Sequence, residues 1–80
     1  MKELIKQAED FCNINITDCH GFDLDKKAIS SIGISNNLRA NINVLKMKEG
    51  DQKTIEKLTD LLRRVSEKRK ELILKANEEF

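Results

Sequence analysis

The side chains with the richest chemistry lie in one short stretch near the start of the chain. Cys12, Cys19 and His20 are its soft metal ligands, and His20 is its single histidine. A structural zinc site takes four ligands, usually in two close pairs, whereas this stretch offers three with a wide gap. Cys19 and His20 have the types of a nucleophile and its base, but adjacent side chains point apart and such dyads come from distant positions. We therefore expect no bound metal, no cofactor and no enzyme activity.

A second stretch with chemical character, residues 28–42, is similar in outline to a DNA-reading helix-turn-helix. Gly33 would form the corner between two short helices, and polar side chains follow it. The small residue before the glycine and the apolar residue after it are each one position early, which disturbs the angle between the helices. An ordinary helix corner is therefore the preferred interpretation. Under the DNA-binding alternative, the side chains that contact bases or phosphates are Ser35, Asn36, Asn37, Arg39 and Asn41.

The last thirty residues, 51–80, carry the longest helical pattern. Apolar residues recur there in alternating steps of three and four, and Arg69 occupies one position where an apolar residue is expected. Leu61 and Ile73 widen the apolar stripe beyond a narrow coiled-coil seam, which favours packing within a helical bundle. Neither Gly nor Pro interrupts the stretch, so it predicts one helix about 45 Å long. A basic cluster within it has acidic neighbours one turn away and is interpreted as a solvated face: Arg63, Arg64, Lys68, Arg69 and Lys70.

The elements that position these groups are all predicted to be helices. Gly50 suits the left-handed position that ends a helix. The apolar residues change phase at Gly33, which predicts a turn there: the face before it is Leu24, Ala28, Ile29 and Ile32, and the face after it is Ile34, Leu38, Ile42 and Leu45. Asp51 is the predicted N-cap of the final helix. The short connection before it predicts an antiparallel pair of helices. We predict helices at Lys2–Cys12, about Leu24–Ile32, Ser35 to about Lys48, and Asp51–Phe80.

The connection after the first helix has a different pattern. Residues 13–17 alternate between polar and apolar, which predicts a short extended linker with Ile14 and Ile16 tucked under the helices. Either Asp23 or Asp25 can cap the helix that follows. The fold class is therefore all-α: a small bundle of three to four helices in a single domain, 1–80, with a C-terminal antiparallel hairpin and one long final helix.

Composition narrows the class of function. The net charge of +1 excludes a strongly basic nucleic-acid arm, and no apolar run is long enough for a transmembrane segment. The N-terminus lacks a secretory apolar core, so we expect a cytoplasmic protein. The abundance of Ile, Asn and Lys is typical of AT-rich genomes, including many phages and mobile elements. We interpret the protein as a non-enzymatic regulatory or adaptor protein, with a small DNA-binding transcriptional regulator as the alternative.

The surface expected to bind the partner is the end of the final helix, because it would project past the shorter helices. The expected partner is another protein, and a second copy in a homodimer is an alternative; nucleic acid is the second choice. The apolar anchors and the flanking basic residues of this predicted site are Arg69, Lys70, Leu72, Ile73, Ala76 and Phe80.

Overall fold

A computed structural model describes residues 1–79 and contains three α-helices there. α1 spans Lys2–Cys12, α2 spans Phe22–Met47 and α3 spans Gln52–Glu79, with a short 3-10 turn at Ile16–Asp18. The described part of the chain measures 45 × 17 × 16 Å and has no strand. The all-α class is confirmed, and α1 begins and ends at the predicted residues.

The largest departure from prediction is α2, which continues without a break through Gly33. The two helices predicted on either side of that glycine are one helix of 26 residues, so both the corner and the helix-turn-helix are wrong. The predicted corner requires Ile29 and Ile32 to lie on the inward side of the helix, but both are exposed. The side chains turned inward follow uninterrupted steps of four and three: Leu24, Ala28, Ser31, Ser35, Leu38, Ile42 and Leu45.

α3 packs against α2 along most of its length with a matching pattern. Its buried positions are Ile55, Leu58, Leu61, Val65, Leu72 and Ala76. Gly21, which precedes α2, hydrogen-bonds to Glu79 at the end of α3, and residues 48–51 join the other ends of the two helices. The two helices therefore run in opposite directions.

A polar layer interrupts the apolar seam between these helices. Ser31 and Ser35 are fully buried, and Arg69 Nη1 donates a hydrogen bond to Ser35 Oγ at 3.2 Å. The Ser31 hydroxyl donates to the backbone carbonyl of Ala28. Two small side chains on α2 leave space for the long arginine on α3, which explains how Arg69 is accommodated at a position of the apolar repeat. Among the described residues, no buried side-chain nitrogen or oxygen lacks a hydrogen-bond partner.

The connection between α2 and α3 is a Schellman motif. The Gly50 N–H donates to the Leu45 carbonyl at 2.7 Å, and the Glu49 N–H donates to the Lys46 carbonyl at 3.4 Å. The left-handed residue is Glu49, at φ 52°, and not Gly50 as predicted. Gly50 is needed for a different reason, since a Cβ there would lie 2.8 Å from Leu45 Cδ2.

The two long helices begin differently. The Asp51 carboxylate accepts an N–H from the first turn of α3 at 3.3 Å, as predicted for an N-cap. No side chain caps α2, whose N-cap is Gly21 at φ 58°. The two predicted caps, Asp23 and Asp25, lie inside the first turn instead, because α2 begins at Phe22 and not at Leu24.

The linker after α1 closes one side of the core. Ile14 and Ile16 are half-buried and pack against the core beside Phe11, as predicted. The linker is not simply extended, because Asn15 Oδ1 accepts the Thr17 N–H at 3.1 Å and starts the 3-10 turn. A side chain that competes for backbone donors in this way favours a turn over a strand.

Candidate interaction surface

α2 carries a second set of large apolar side chains on the side opposite its contact with α3. On an ideal helix they fall within roughly 120° of the circumference. Ile29 is 68% exposed and Met47 is 84% exposed. We call this set the outer face, and its residues are Phe22, Ile29, Ile32, Val44 and Met47. A helix with apolar residues on two opposite sides has one side to bury in its own core and one side that a further surface could cover.

The outer face is large for a chain of this size. With fully exposed apolar side chains presenting about 150–250 Å² each, its five residues expose roughly 600 Å². This area is divided between two clusters at the ends of α2, so it is a summed apolar area and not one contiguous patch. Doubled across two partners, it gives roughly 1,200 Å², the low end for a specific protein–protein interface.

The middle of the outer face is lined by small or polar residues. Gly33, Asn36 and Ala40 are exposed there, and a Cβ built on Gly33 would meet no atom within 4 Å. Asn36 Oδ1 accepts a long hydrogen bond of 3.5 Å from Arg39 Nη1. Large apolar groups therefore lie toward the two ends of α2, with a flat central section between them that lets another helix backbone approach.

Charge is distributed unevenly along α2. Its acidic residues, Asp23 and Asp25, are both in the first turn, whereas Arg39 and Lys46 are the charged residues of its second half. Asp23 forms an ion pair with Lys27 at 2.7 Å, which holds the pKa of that carboxyl below its ordinary value. In the part of the chain that the structure describes, Asp25, Arg39 and Lys46 form no ion pair. Lys26, beside Asp25, is also exposed on the outer face and forms no ion pair among the described residues, so one end of the face carries both signs of charge and the other end carries basic groups.

The predicted partner site at the end of α3 is not a projecting arm. Because α2 begins at Phe22 and is one continuous helix, it covers α3 to its last turn. Leu72 and Ala76 are buried in the chain's own core, so they are not available as anchors. Arg69 binds Ser35, and Lys70 is exposed; Ile73 is partly exposed. The sixth predicted residue, Phe80, lies outside the described residues.

Two lysines in the second half of α3 bind the linker that follows α1. Lys68 Nζ donates to the Ile14 carbonyl at 3.0 Å, and Lys75 Nζ donates to the Ile16 carbonyl at 2.9 Å. These carbonyls would otherwise need water, so the lysines satisfy them while their aliphatic stems cover apolar surface. This part of α3 therefore fixes the linker of its own chain.

The side chain of Glu79, the last described residue of α3, binds the residues that precede α2. Glu79 Oε2 accepts the Gly21 N–H at 2.7 Å, and Glu79 Oε1 accepts the His20 Nδ1–H at 2.8 Å. The Gly21 amide and then the His20 ring hold the pKa of the Glu79 carboxyl below its ordinary value. A carboxylate at the beginning of α2 also matches the positive end of the helix dipole.

The side chains considered for metal or thiol chemistry have different surroundings and do not converge on one site. Cys19 is buried and its Sγ donates to the Asn15 carbonyl at 3.6 Å, whereas the His20 ring binds Glu79. Burial raises the pKa of the Cys12 thiol, which lowers its reactivity. Among residues 1–79, no three His, Cys, Asp or Glu side chains are grouped so as to hold a metal ion.

The basic cluster of α3 is divided among different contacts. Arg63 forms ion pairs with Asp60 and with Glu67, each at 2.9 Å, as expected for a solvated face with acidic residues one turn away. Lys68 and Arg69 are committed to the linker and the polar layer. These five basic residues therefore do not form one continuous charged surface.

The residues of the DNA-binding alternative lie in the middle of α2 and not after a turn. Ser35 is buried against α3, and Asn41 is half-buried with its amide donating to the Asn37 carbonyl at 2.8 Å. Asn36, Asn37 and Arg39 are exposed. The geometry of a recognition helix that follows a corner is therefore absent.

Prediction from the sequence missed the outer face itself. The predicted corner places Ile29 and Ile32 on the inward side, and the predicted apolar faces do not include Met47. The available signal was the unbroken repeat from Leu24 to Leu45, which becomes visible once two serines are allowed at inward positions. With that repeat assigned, the remaining apolar residues fall on the opposite side.

Comparison with family models, with curated protein sequences and with solved structures finds no match to this chain. No helix in the described part of the chain combines the length and the apolar character that crossing a membrane requires.

Proposed function

We propose that this protein is a non-enzymatic regulatory or adaptor protein that binds another protein chain through the outer face of α2. The observation that carries the proposal is the size and position of that face. Five large apolar side chains are exposed on α2, whose opposite side is already buried in the core. Exposing this much apolar surface is unfavourable in water, so a partner that covers it gains binding free energy.

The shape of the surface favours a helical partner over a small ligand. The outer face is long, narrow and flat, whereas small molecules bind in concave pockets that enclose most of their surface. An amphipathic helix places apolar anchors at intervals of three, four and seven residues. The steps from Phe22 to Ile29 and from Ile29 to Ile32 have that spacing, and Met47 provides an anchor at the far end. Binding there would block or bridge partner surfaces, which is how an adaptor without catalytic groups acts.

DNA binding is the competing function, and one observation favours it. The second half of α2 contains basic but no acidic residues, and Asn36 and Arg39 are exposed beside each other. A gel-shift titration at two salt concentrations separates the two functions. A DNA-binding protein loses affinity steeply as salt rises and loses more on Arg39→Ala, whereas a protein-binding module shows neither effect.

Site-specific photo-crosslinking tests the proposed function directly. A benzophenone amino acid is placed at position 29 of the full chain, and the matched control carries it at position 74. Leu74 is 63% exposed against 68% for Ile29, but it lies on α3 and outside the outer face. We expect a protein adduct from position 29 and none from position 74 when the protein is irradiated in its native host. Equal adducts from both positions, or none from position 29, would refute the proposal.

A further inference from the structure

We propose that the partner covering the outer face is a second copy of the same chain, packed with its α2 antiparallel to the first. This inference rests on the proposed function, because it names the occupant of the same surface. The choice of a second copy comes from the charges beside the outer face, from its area and from the size of the core.

Charge complementarity favours self-pairing in one orientation. Asp25 and Lys46 are 21 residues apart, which is three heptads. A straight helix drifts by about 60° over that distance, so Asp25 lies on the outer face and Lys46 lies at its edge on the α3 side, near the two ends. Both are exposed, and neither forms an ion pair in the described part of the chain. When two copies of α2 run antiparallel about a two-fold axis between residues 34 and 35, Lys46 of the second copy lies two residues, about 3 Å along the helix, from the position directly opposite Asp25, within reach of its carboxylate. A parallel pair would instead place like charges side by side, which is destabilising.

The same alignment brings complementary shapes together. Phe22 falls opposite Met47 of the second copy, and Ile29 falls opposite Ala40 of the second copy. Lys26 falls opposite Asn43 of the second copy, where its long aliphatic stem lets the ammonium group reach water at the rim. At the centre, Gly33 lies opposite Asn36 of the second copy, where small side chains allow the two backbones to approach. Large groups therefore meet large or small groups without a clash. An interface of this isologous kind is self-complementary and closes at two copies.

The area of the outer face and the size of the chain agree with a dimer. Two outer faces together supply roughly 1,200 Å², which reaches the low end for a specific interface. The described core of one chain contains twelve buried apolar residues, and chains of this size commonly gain stability from association. In an antiparallel pair, the acidic first turn of α2 also lies near the basic last turn of the second copy. Each of these charges has the sign that the helix dipole favours at its own end of the helix.

Charge exchange tests both the identity of the occupant and its orientation. Sedimentation equilibrium is measured for the wild type, for Asp25→Lys, for Lys46→Asp and for an equimolar mixture of the two variants. Both substitutions are at exposed positions, so the fold is retained, and circular dichroism verifies it. We expect the wild type to reach twice the 9.2 kDa of one chain. We expect each variant alone to self-associate about three- to thirtyfold more weakly, because two like-charged contacts replace two attractive ones.

The mixture gives the decisive result. One variant presents only lysine at positions 25 and 46 and the other presents only aspartate, so we expect their heterodimer to recover the affinity of the wild type. A dimeric wild type whose variants do not recover on mixing would overturn the antiparallel arrangement. A wild type that stays monomeric at about 100 µM would overturn self-pairing. In that case the proposed function stands if crosslinking from position 29 yields an adduct with a different protein, and it fails if no adduct forms.

Discussion

The three glycines of this chain make a sharp test of the continuous helix α2. Gly33 lies in the middle of α2, has no positive φ, and has open space where a Cβ would go. Alanine is favoured over glycine inside a helix by roughly 0.5–1 kcal/mol, so Gly33→Ala should stabilise the protein by that amount. For a domain of this size, that corresponds to an increase in Tm of about 2–8 °C.

The other two glycines are matched controls, because alanine at either position is expected to lower the free energy of unfolding. Gly21 has φ 58° and ψ −133°, a backbone conformation nearly restricted to glycine, where an alanine side chain is strained by about 1–3 kcal/mol. A Cβ on Gly50 would lie 2.8 Å from Leu45 Cδ2 and 3.2 Å from the Leu45 backbone oxygen, an overlap that costs about 1–3 kcal/mol. Gly21→Ala and Gly50→Ala should therefore both destabilise the protein.

Urea unfolding followed by circular dichroism at low protein concentration measures all three variants while keeping self-association small. The expected order of stability is Gly33→Ala, then wild type, then the two controls. If Gly33 were the corner of a helix-turn-helix, alanine there would be destabilising. A lower unfolding free energy for Gly33→Ala would thus refute the continuous helix, and with it the position of the outer face.

Three further predictions concern individual side chains. Glu49→Gly should raise the free energy of unfolding by about 1 kcal/mol in urea titrations, because it removes a non-glycine residue from φ 52°; an unchanged or lower value would contradict the strain. Leu72→Glu should cost more than about 3 kcal/mol because the side chain is fully buried, whereas Ile73→Glu should cost less than about 1 kcal/mol; equal costs would show that the helix faces are misassigned. The pKa of Glu79 is lower in the folded chain than its ordinary value of 4.5, so its contribution is complete above that pH and is lost as pH falls through the lowered value. Glu79→Gln should therefore be less stable than wild type at pH 7, and the gap in urea midpoint should close on acidification; a gap independent of pH would contradict this.

The sequence was sufficient to predict the elements whose inward side chains are apolar. α1 and most of α3 follow this rule, and the cap at Asp51 follows from its side-chain chemistry. α2 does not follow it, because Ser31 and Ser35 occupy inward positions while Ile29 and Ile32 face solvent. Hydrophobic periodicity detects burial only through residue type, so two buried serines appeared as a break in the helix.

The predicted projection of the end of α3 is wrong for the same reason. Splitting α2 made it appear too short to cover α3, so the end of α3 was left as unpaired apolar surface. With α2 continuous, Leu72 and Ala76 are covered, whereas Ile73 and Leu74 of α3 remain exposed together with five large apolar residues of α2. The hydrogen-bond partner of Arg69 could not be identified from the sequence of α3, because Ser35 lies 34 residues away in sequence, on the facing helix α2.

The central claim is that the outer face of α2 drives association, and one comparison tests it most directly. Ile29→Glu and Leu74→Glu each replace a mostly exposed apolar side chain with a charged one, on α2 and α3 respectively, so neither should disturb the core. Sedimentation equilibrium should show that Ile29→Glu weakens self-association by about a hundredfold or more, because the residue occurs twice in the symmetric interface, while Leu74→Glu behaves as wild type. Equal behaviour of the two variants, with the helical content of both unchanged, would contradict the claim.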